Sequence, residues 1–236
     1  MKTCRSASYL LLVLLSGMVV AAENPQPMTA QQATDAAAEA RSRVKDSIPI
    51  VGKLKEDPKA NDLLGRAKGI LVVPNYVQAA LVFGGRRGSG LLLVRSGRTW
   101  SDPVFYRISG GTFGVQLGGT KGALAFLLMT DKAIDAFENK ASTWSMDAGA
   151  GLAAVNFSKQ TPEAATLPDV VVWSDTKGLF GGAAVGASKL SRDVLANQIY
   201  YNNNDITAQQ ILSGAVSSPQ SKPLIEVLPP PQHAQQ

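Results

Sequence analysis

Residues 68 to 118, KGILVVPNYVQAALVFGGRRGSGLLLVRSGRTWSDPVFYRISGGTFGVQLG, constrain the fold more than any other part of the chain. Short runs rich in Val, Leu and Phe alternate there with Gly, Pro, Asn and Ser, the pattern of consecutive antiparallel strands joined by turns. Glycine inside the runs calls for bends or bulges in a strongly curved sheet. The stretch holds no cysteine, no histidine and a single acid, Asp102. It has the makings of a binding surface rather than a reaction centre.

Helical signals flank this region. Thr29 and Gln32 form a T-x-x-Q capping box, and Ala33, Ala37, Ala40 and Val44 follow at helical spacing, which predicts a helix of about four turns ending before Pro49. Asp57 as N-cap with Pro58 at the first helical position predicts a second helix, to about Lys68. Strands are expected at 69–74, 78–84, 89–95, 104–109, 112–118 and 122–129, then a short helix over 131–140. Further strands are expected around 143–157, 169–174 and 179–188, a helix from Arg192 to Tyr201, and a last helix opened by Thr207 and Gln210 and ending near Gly214. The residues from 217 to 236 contain five prolines and little that could pack, and are expected to be disordered. The fold class is α+β: a curved antiparallel β-sheet, with closure into a barrel left open, carrying N-terminal and C-terminal helices.

At the N-terminus, Lys2 and Arg5 precede an apolar run from Tyr9 to Val20, then Ala21 and Ala22, the order of a secretory signal peptide. The run is short for a bilayer span. Val20 and Ala22 occupy the small-residue positions before a cut, so residues 1–22 are expected to be removed, leaving a domain over 23–216 and the tail 217–236. Cleavage deletes the only cysteine, Cys4. The mature chain is then left without a disulfide, a thiolate nucleophile or an iron–sulfur ligand, which in an exported protein fits a bacterial periplasm or envelope.

Charge is more telling by region than in total. Residues 41–68 carry eight Lys or Arg against four Asp or Glu, and residues 86–98 carry four arginines and no acid. Two local basic concentrations suit an anionic partner. Nucleotide loops do not: Gly114-Val-Gln-Leu-Gly118-Gly119-Thr120-Lys121 reverses the final Lys-Thr order and runs into a strand, so no helix N-terminus completes an anion site. Residues 178–186, GLFGGAAVG, fail as a dinucleotide fingerprint for want of a crossover helix. Glycine for curvature and close backbone packing accounts for both.

Catalytic constellations fare no better. The sole histidine, His233, sits in the tail, away from any Ser-His-Asp triad or histidine-rich metal site in the folded region. Ser42-Arg-Val-Lys45 matches S-x-x-K without its companion elements. Asp147, Glu163, Asp169 and Asp175 come with few aromatics to form a sugar platform. No catalytic, cofactor-binding or metal-ligating residue is assigned, and a nucleic-acid partner is not expected.

Several landmarks occur in a fixed order: Lys68-Gly69-Ile70 through Pro74; Gly84-Gly85 with Gly88 and Gly90; Trp100-Ser101-Asp102-Pro103; Phe105-Tyr106 with Gly110-Gly111; Gln116-Leu117-Gly118-Gly119; Ser174-Asp175-Thr176-Lys177-Gly178-Leu179-Phe180; and Asn197 to Tyr201, NQIYY. Together, over about residues 40 to 214, they resemble the SYLF domain family, and the chain is similar to a bacterial exported member. Family members often carry an acidic residue near Val185, and this chain does not. The resemblance implies phospholipid binding, with phosphoinositide and actin binding in eukaryotic members. An exported protein meets neither of those two ligands, so lipid binding is the property carried over. The family's basic N-terminal region maps onto Lys53, Lys55, Lys59, Arg66 and Lys68. Arg86 and Arg87 join them on a separate ground, a hairpin tip from which charge can project. The expected function is non-catalytic binding of anionic phospholipid at the cell envelope. The alternatives are a structural or protein-interaction role, which predicts an exposed apolar surface, and an enzyme, which requires a cleft with carboxylates of opposed pKa.

Overall fold

The computed structural model describes residues 28–80, 83–97, 99–113, 118–139, 144–145, 154–156, 168–175 and 189–230. The signal-peptide segment, residues 178–186, Val185, Asp147, Glu163 and His233 lie outside the described residues.

Helix α1, Ala30–Glu56, starts on the expected capping box but runs on through Pro49. The sequence expectation of an end before Pro49 is therefore corrected. Pro49 removes one backbone donor, at a cost of about 3 kcal/mol. Beyond it, Ile50, Val51 and Leu54 continue the buried stripe of Ala40, Val44 and Ser47, and each such apolar side chain returns about 1.5–3 kcal/mol on burial. The tertiary gain exceeds the local loss. Helix α2, Pro58–Arg66, follows after one residue, with Asp57 Oδ1 accepting from the backbone N–H groups of Lys59 and Ala60 at 2.9 and 3.1 Å.

The sheet is built from β1 (Gly69–Ala80), β2 (Phe83–Ser96), β3 (Thr99–Trp100), β4 (Val104–Phe113), β5 (Gly118–Leu128), β6 (Trp144–Ser145), β7 (Ala154–Asn156), β8 (Val170–Ser174) and β9 (Lys189–Arg192), with α3 (Asp131–Asn139) between β5 and β6. Its order is β6-β9-β4-β2-β1-β5-β8-β7, with β3 paired to β2. Every pairing among the described strands is antiparallel except β7 with β8. Among the described residues the sheet is open, with β6 and β7 at its ends and no pairing between them. Helices α4 (Val194–Tyr201) and α5 (Ala208–Leu212), a 3-10 turn (Pro219–Ser221) and α6 (Lys222–Val227) complete the chain.

Both faces of the sheet are covered, and alternate residues of each central strand serve opposite cores. Ile70, Val72, Leu91, Leu93, Phe105, Ala125, Leu127, Val171 and Trp173 pack toward α1, α2, α4 and α6. Leu71, Val73, Leu92, Val104, Tyr106, Leu124, Phe126, Val170 and Val172 pack toward α3 and α5. Burial on both sides is why these strands read as unbroken apolar runs instead of alternating ones. At Pro74 the register slips by one residue against both neighbours, between Val72 and Asn75 facing β2 and between Val73 and Tyr76 facing β5. A central strand tolerates proline at such a bulge. The slip turns Tyr76 onto the face of Val73, where it is buried.

The tail is the second correction. Residues 217–230 are not disordered: Leu224 and Leu228 are 0% and 5% exposed and belong to the core beneath α1.

Candidate functional site

Helix α1 contacts α2, α4 and α6 and lies across β1 and β2, so the layer it leads is fixed at several joints. One joint is charged. Asp193, 3% exposed, precedes α4 and accepts from the Ala196 N–H at 3.3 Å, from Arg43 Nη1 at 2.7 Å and from Arg107 Nε at 2.8 Å. Burial works to raise the carboxyl's pKa, and the hydrogen bonds and charges of Arg43 and Arg107 outweigh it, holding the group below the ordinary carboxylate range. Arg43, also bonded to Glu39 at 2.6 Å, is held above its ordinary value: burial opposes its charge, but the two acids more than compensate. Asn197 adds a neutral bracket, donating to the carbonyls of Phe105 and Asp193 at 3.1 and 2.8 Å and accepting from the Phe105 N–H at 3.0 Å. These bonds tie α1, β4 and α4 together.

The Trp100-Ser101-Asp102-Pro103 landmark forms a second joint. Ser101 Oγ accepts from the Val94 N–H at 3.0 Å, Asp102 Oδ1 accepts from the Ser218 N–H at 2.9 Å, and the Pro103 carbonyl accepts from the Tyr201 hydroxyl at 2.7 Å. Trp100 Nε1 donates to the Pro229 carbonyl at 2.9 Å. Arg95 lies 4.3 Å from the Trp100 ring centre and donates to the carbonyls of Leu64, Gly65, Ala67 and Pro229. That one guanidinium closes the C-terminal end of α2 and holds the chain end. Burial pulls its pKa down.

Between these joints lies a groove of about 430 Å³ lined by Arg41, Val44, Lys45, Ile48, Tyr200, Gln220 and Pro223. Its α1 wall consists of positions i, i+3, i+4 and i+7, a single helix face. Tyr200 is buried, which raises its pKa, and its hydroxyl shares a 3.0 Å hydrogen bond with Ser221 Oγ. Arg41 Nε donates to Gln220 Oε1 at 3.2 Å.

The predicted basic residues are distributed around the α1–α2 turn and beyond. Lys53 pairs with Asp175 at 2.8 Å, and Lys55 Nζ donates to the Val227 carbonyl at 3.0 Å. Lys59 is exposed in the first turn of α2. Arg66, half-buried, faces Asp62 at 3.7 Å, and Lys68 pairs with Asp131. Lys45, Lys53, Lys55, Lys59 and Lys68 are all exposed. The hairpin pair divides: Arg87 is exposed, whereas Arg86 is 6% exposed with Nη2 directed at the Gly111 carbonyl, 3.4 Å away. The expected hairpin tip is corrected: both arginines lie inside β2, paired with Gln78 and Val77 of β1 and with Gly110 and Ser109 of β4, and because neighbouring residues of a strand point to opposite faces only Arg87 projects into solvent. Arg41 and Lys45 belong to the basic stretch 41–68 visible in the sequence, but their place on a groove depends on α4 and the chain end packing beside them.

A family model described as Ysc84, a Las17-binding protein actin regulator, matches residues 109–229. The chain belongs to this family. The matched span contains the closing helices and the docked chain end, while the seven predicted basic residues precede it. Among similar proteins, LAS seventeen-binding protein 3 of Saccharomyces cerevisiae is 29% identical over 212 residues, 87% of this chain and 45% of that protein. Protein YSC84 of the same yeast is 30% identical over 213 residues, 87% of this chain and 44% of that one. SH3 domain-containing YSC84-like protein 1 of Xenopus laevis is 26% identical over 171 residues, 70% of this chain and 50% of the relative. The Ysc84-family chain thus spans half or less of the length of these relatives. No solved structure matches it.

Proposed function

We propose that this chain is a non-catalytic module that binds anionic phospholipid at the surface of a cell-envelope membrane, after export and removal of residues 1–22. The observation that carries the reading is the set of exposed ammonium groups, Lys53, Lys55, Lys59 and Lys68, on and beside the helical pair α1–α2. Near an anionic leaflet each such charge contributes about 1 kcal/mol. The ion pairs of Lys53 and Lys68 are partly exposed, and pairs of that kind are worth only about 0–1 kcal/mol. Lipid phosphates can therefore compete for these ammonium groups. Among the described residues no helix is long and apolar enough to cross a membrane.

Vesicle co-sedimentation tests this. The protein should sediment with phosphatidylglycerol-containing vesicles more than with phosphatidylcholine alone, and less as salt shortens the Debye length to roughly 8 Å at physiological ionic strength. Reversing Lys53, Lys55 and Lys59 to Glu should abolish sedimentation, whereas Arg87→Ala reports separately on β2. The name of one relative, LAS seventeen-binding protein 3, favours a second reading in which this surface meets a protein. Failure to sediment with any lipid at low salt would select that reading.

A further inference from the structure

The groove lined by α1, α4 and the segment 220–223 combines two properties that point to one class of ligand. Its walls are apolar: Val44 and Tyr200 are buried at its base, and Ile48 and Pro223 extend it. Arg41 and Lys45, one helical turn apart and both exposed, bring two cations to it. Among the described residues Lys45 has no hydrogen-bond or ion-pair partner. Its volume of about 430 Å³ falls in the range of roughly 300–1,000 Å³ typical of small-molecule sites.

We infer that this groove binds one molecule of a single-chain anionic amphiphile, a long-chain carboxylate. The hydrocarbon lies along Val44, Ile48, Tyr200 and Pro223, and the carboxylate meets Arg41 and Lys45. An uncharged or cationic ligand would satisfy the walls and leave the cations unmatched, and a fully polar anion would satisfy the cations and leave the walls wet. Arg41 already donates Nε to Gln220, which holds the guanidinium beside the groove. Planar guanidinium geometry suits a carboxylate. Gln220 and Pro223 come from the chain end, so the site exists only when the 3-10 turn and α6 are docked. The ligand therefore stabilises the attachment of that segment. This site takes a monomer from solution and stands apart from the membrane-surface reading, so either can fail alone.

The test is isothermal titration of the full chain with decanoate, dodecanoate and tetradecanoate, each below its critical micelle concentration, and with tetradecanol. Binding should be saturable at one site, and affinity should rise about fourfold per added methylene. The alcohol and the Lys45→Glu variant should each bind about tenfold more weakly. Ile48→Trp, which fills the groove, should abolish binding, and Pro223→Trp does the same from the opposite wall should Ile48→Trp fail to fold. Vesicle co-sedimentation of the folded Trp variant should persist, because the surface lysines are intact. The inference is overturned if no carboxylate binds saturably, or if folded groove-filling variants bind as well as the parent.

Discussion

Asp193 is the acid on which two arginines and a helix terminus converge. Arg43, its partner, is 6% exposed, so removing the carboxylate leaves a buried cation with only Glu39 to answer it. Asp193→Ala is expected to destabilise the fold by about 3–5 kcal/mol, read from urea denaturation. Lys53→Ala, which breaks a partly exposed pair, should cost less than about 1 kcal/mol. The same carboxyl sets an acid limit. Its folded pKa is depressed by Arg43 and Arg107 against the opposing effect of burial. The stability it contributes is therefore fully present above the unfolded value of about 3.9 and is lost as pH falls below it toward the folded pKa. The steep loss below about pH 4 should flatten in Asp193→Asn. Tyr106 and Tyr201 act in the opposite sense: burial raises both hydroxyl pKa values, so their contribution is present below about pH 10 and drains as pH rises above it. None of this is legible from the residues alone. Asp193 and Arg43 lie 150 positions apart, and no local pattern joins them.

Among the elements, those governed by local chemistry were readable in the sequence. The capping boxes at Thr29 and Thr207 and the Asp57-Pro58 start all form as the residue types require. Two misses share a cause: distant burial overrode a local signal at Pro49 and in the chain end. Trp100 and Arg95 hold the Pro229 carbonyl while Leu224 fills the core, so a proline-rich sequence that looks unpackable is packed. Leu224→Ala should cost about 2–5 kcal/mol in urea denaturation, where a disordered tail would show no change. The breaks expected at 75–77 and 110–111 instead fall inside β1 and β4, because Asn and Gly are tolerated within a strand where a bulge or close packing accommodates them. Gly90→Ala tests the sheet. A Cβ there would sit 2.7 Å from the Val72 carbonyl oxygen, a backbone atom that cannot rotate aside. Destabilisation of about 1–3 kcal/mol is expected, the usual scale of overpacking.

For the whole molecule, the expected surface function rests on charges whose positions along the chain were plain and whose positions in space were not. If export proceeds as proposed, the protein recovered from the envelope begins at Glu23, and its intact mass lacks Cys4; retention of residues 1–22 would overturn the periplasmic reading. Lys53, Lys55, Lys59 and Lys68 are singled out through the family resemblance within the basic stretch 41–68, and each is exposed. Arg86 could not be told from Arg87 without the strand's facing. Arg41 and Lys45 gained a groove only through Tyr200, Gln220 and Pro223, more than 150 residues away. Composition, periodicity and capping determined that this chain makes a glycine-bent antiparallel sheet with helices before and after it, because those signals act between near neighbours. The tertiary structure alone decided that both sheet faces are covered, that α1 passes through its proline, that the chain end docks, and which cations face water. Each of these is settled by burial between segments far apart in sequence, where the free energy belongs to the contact and to neither partner alone.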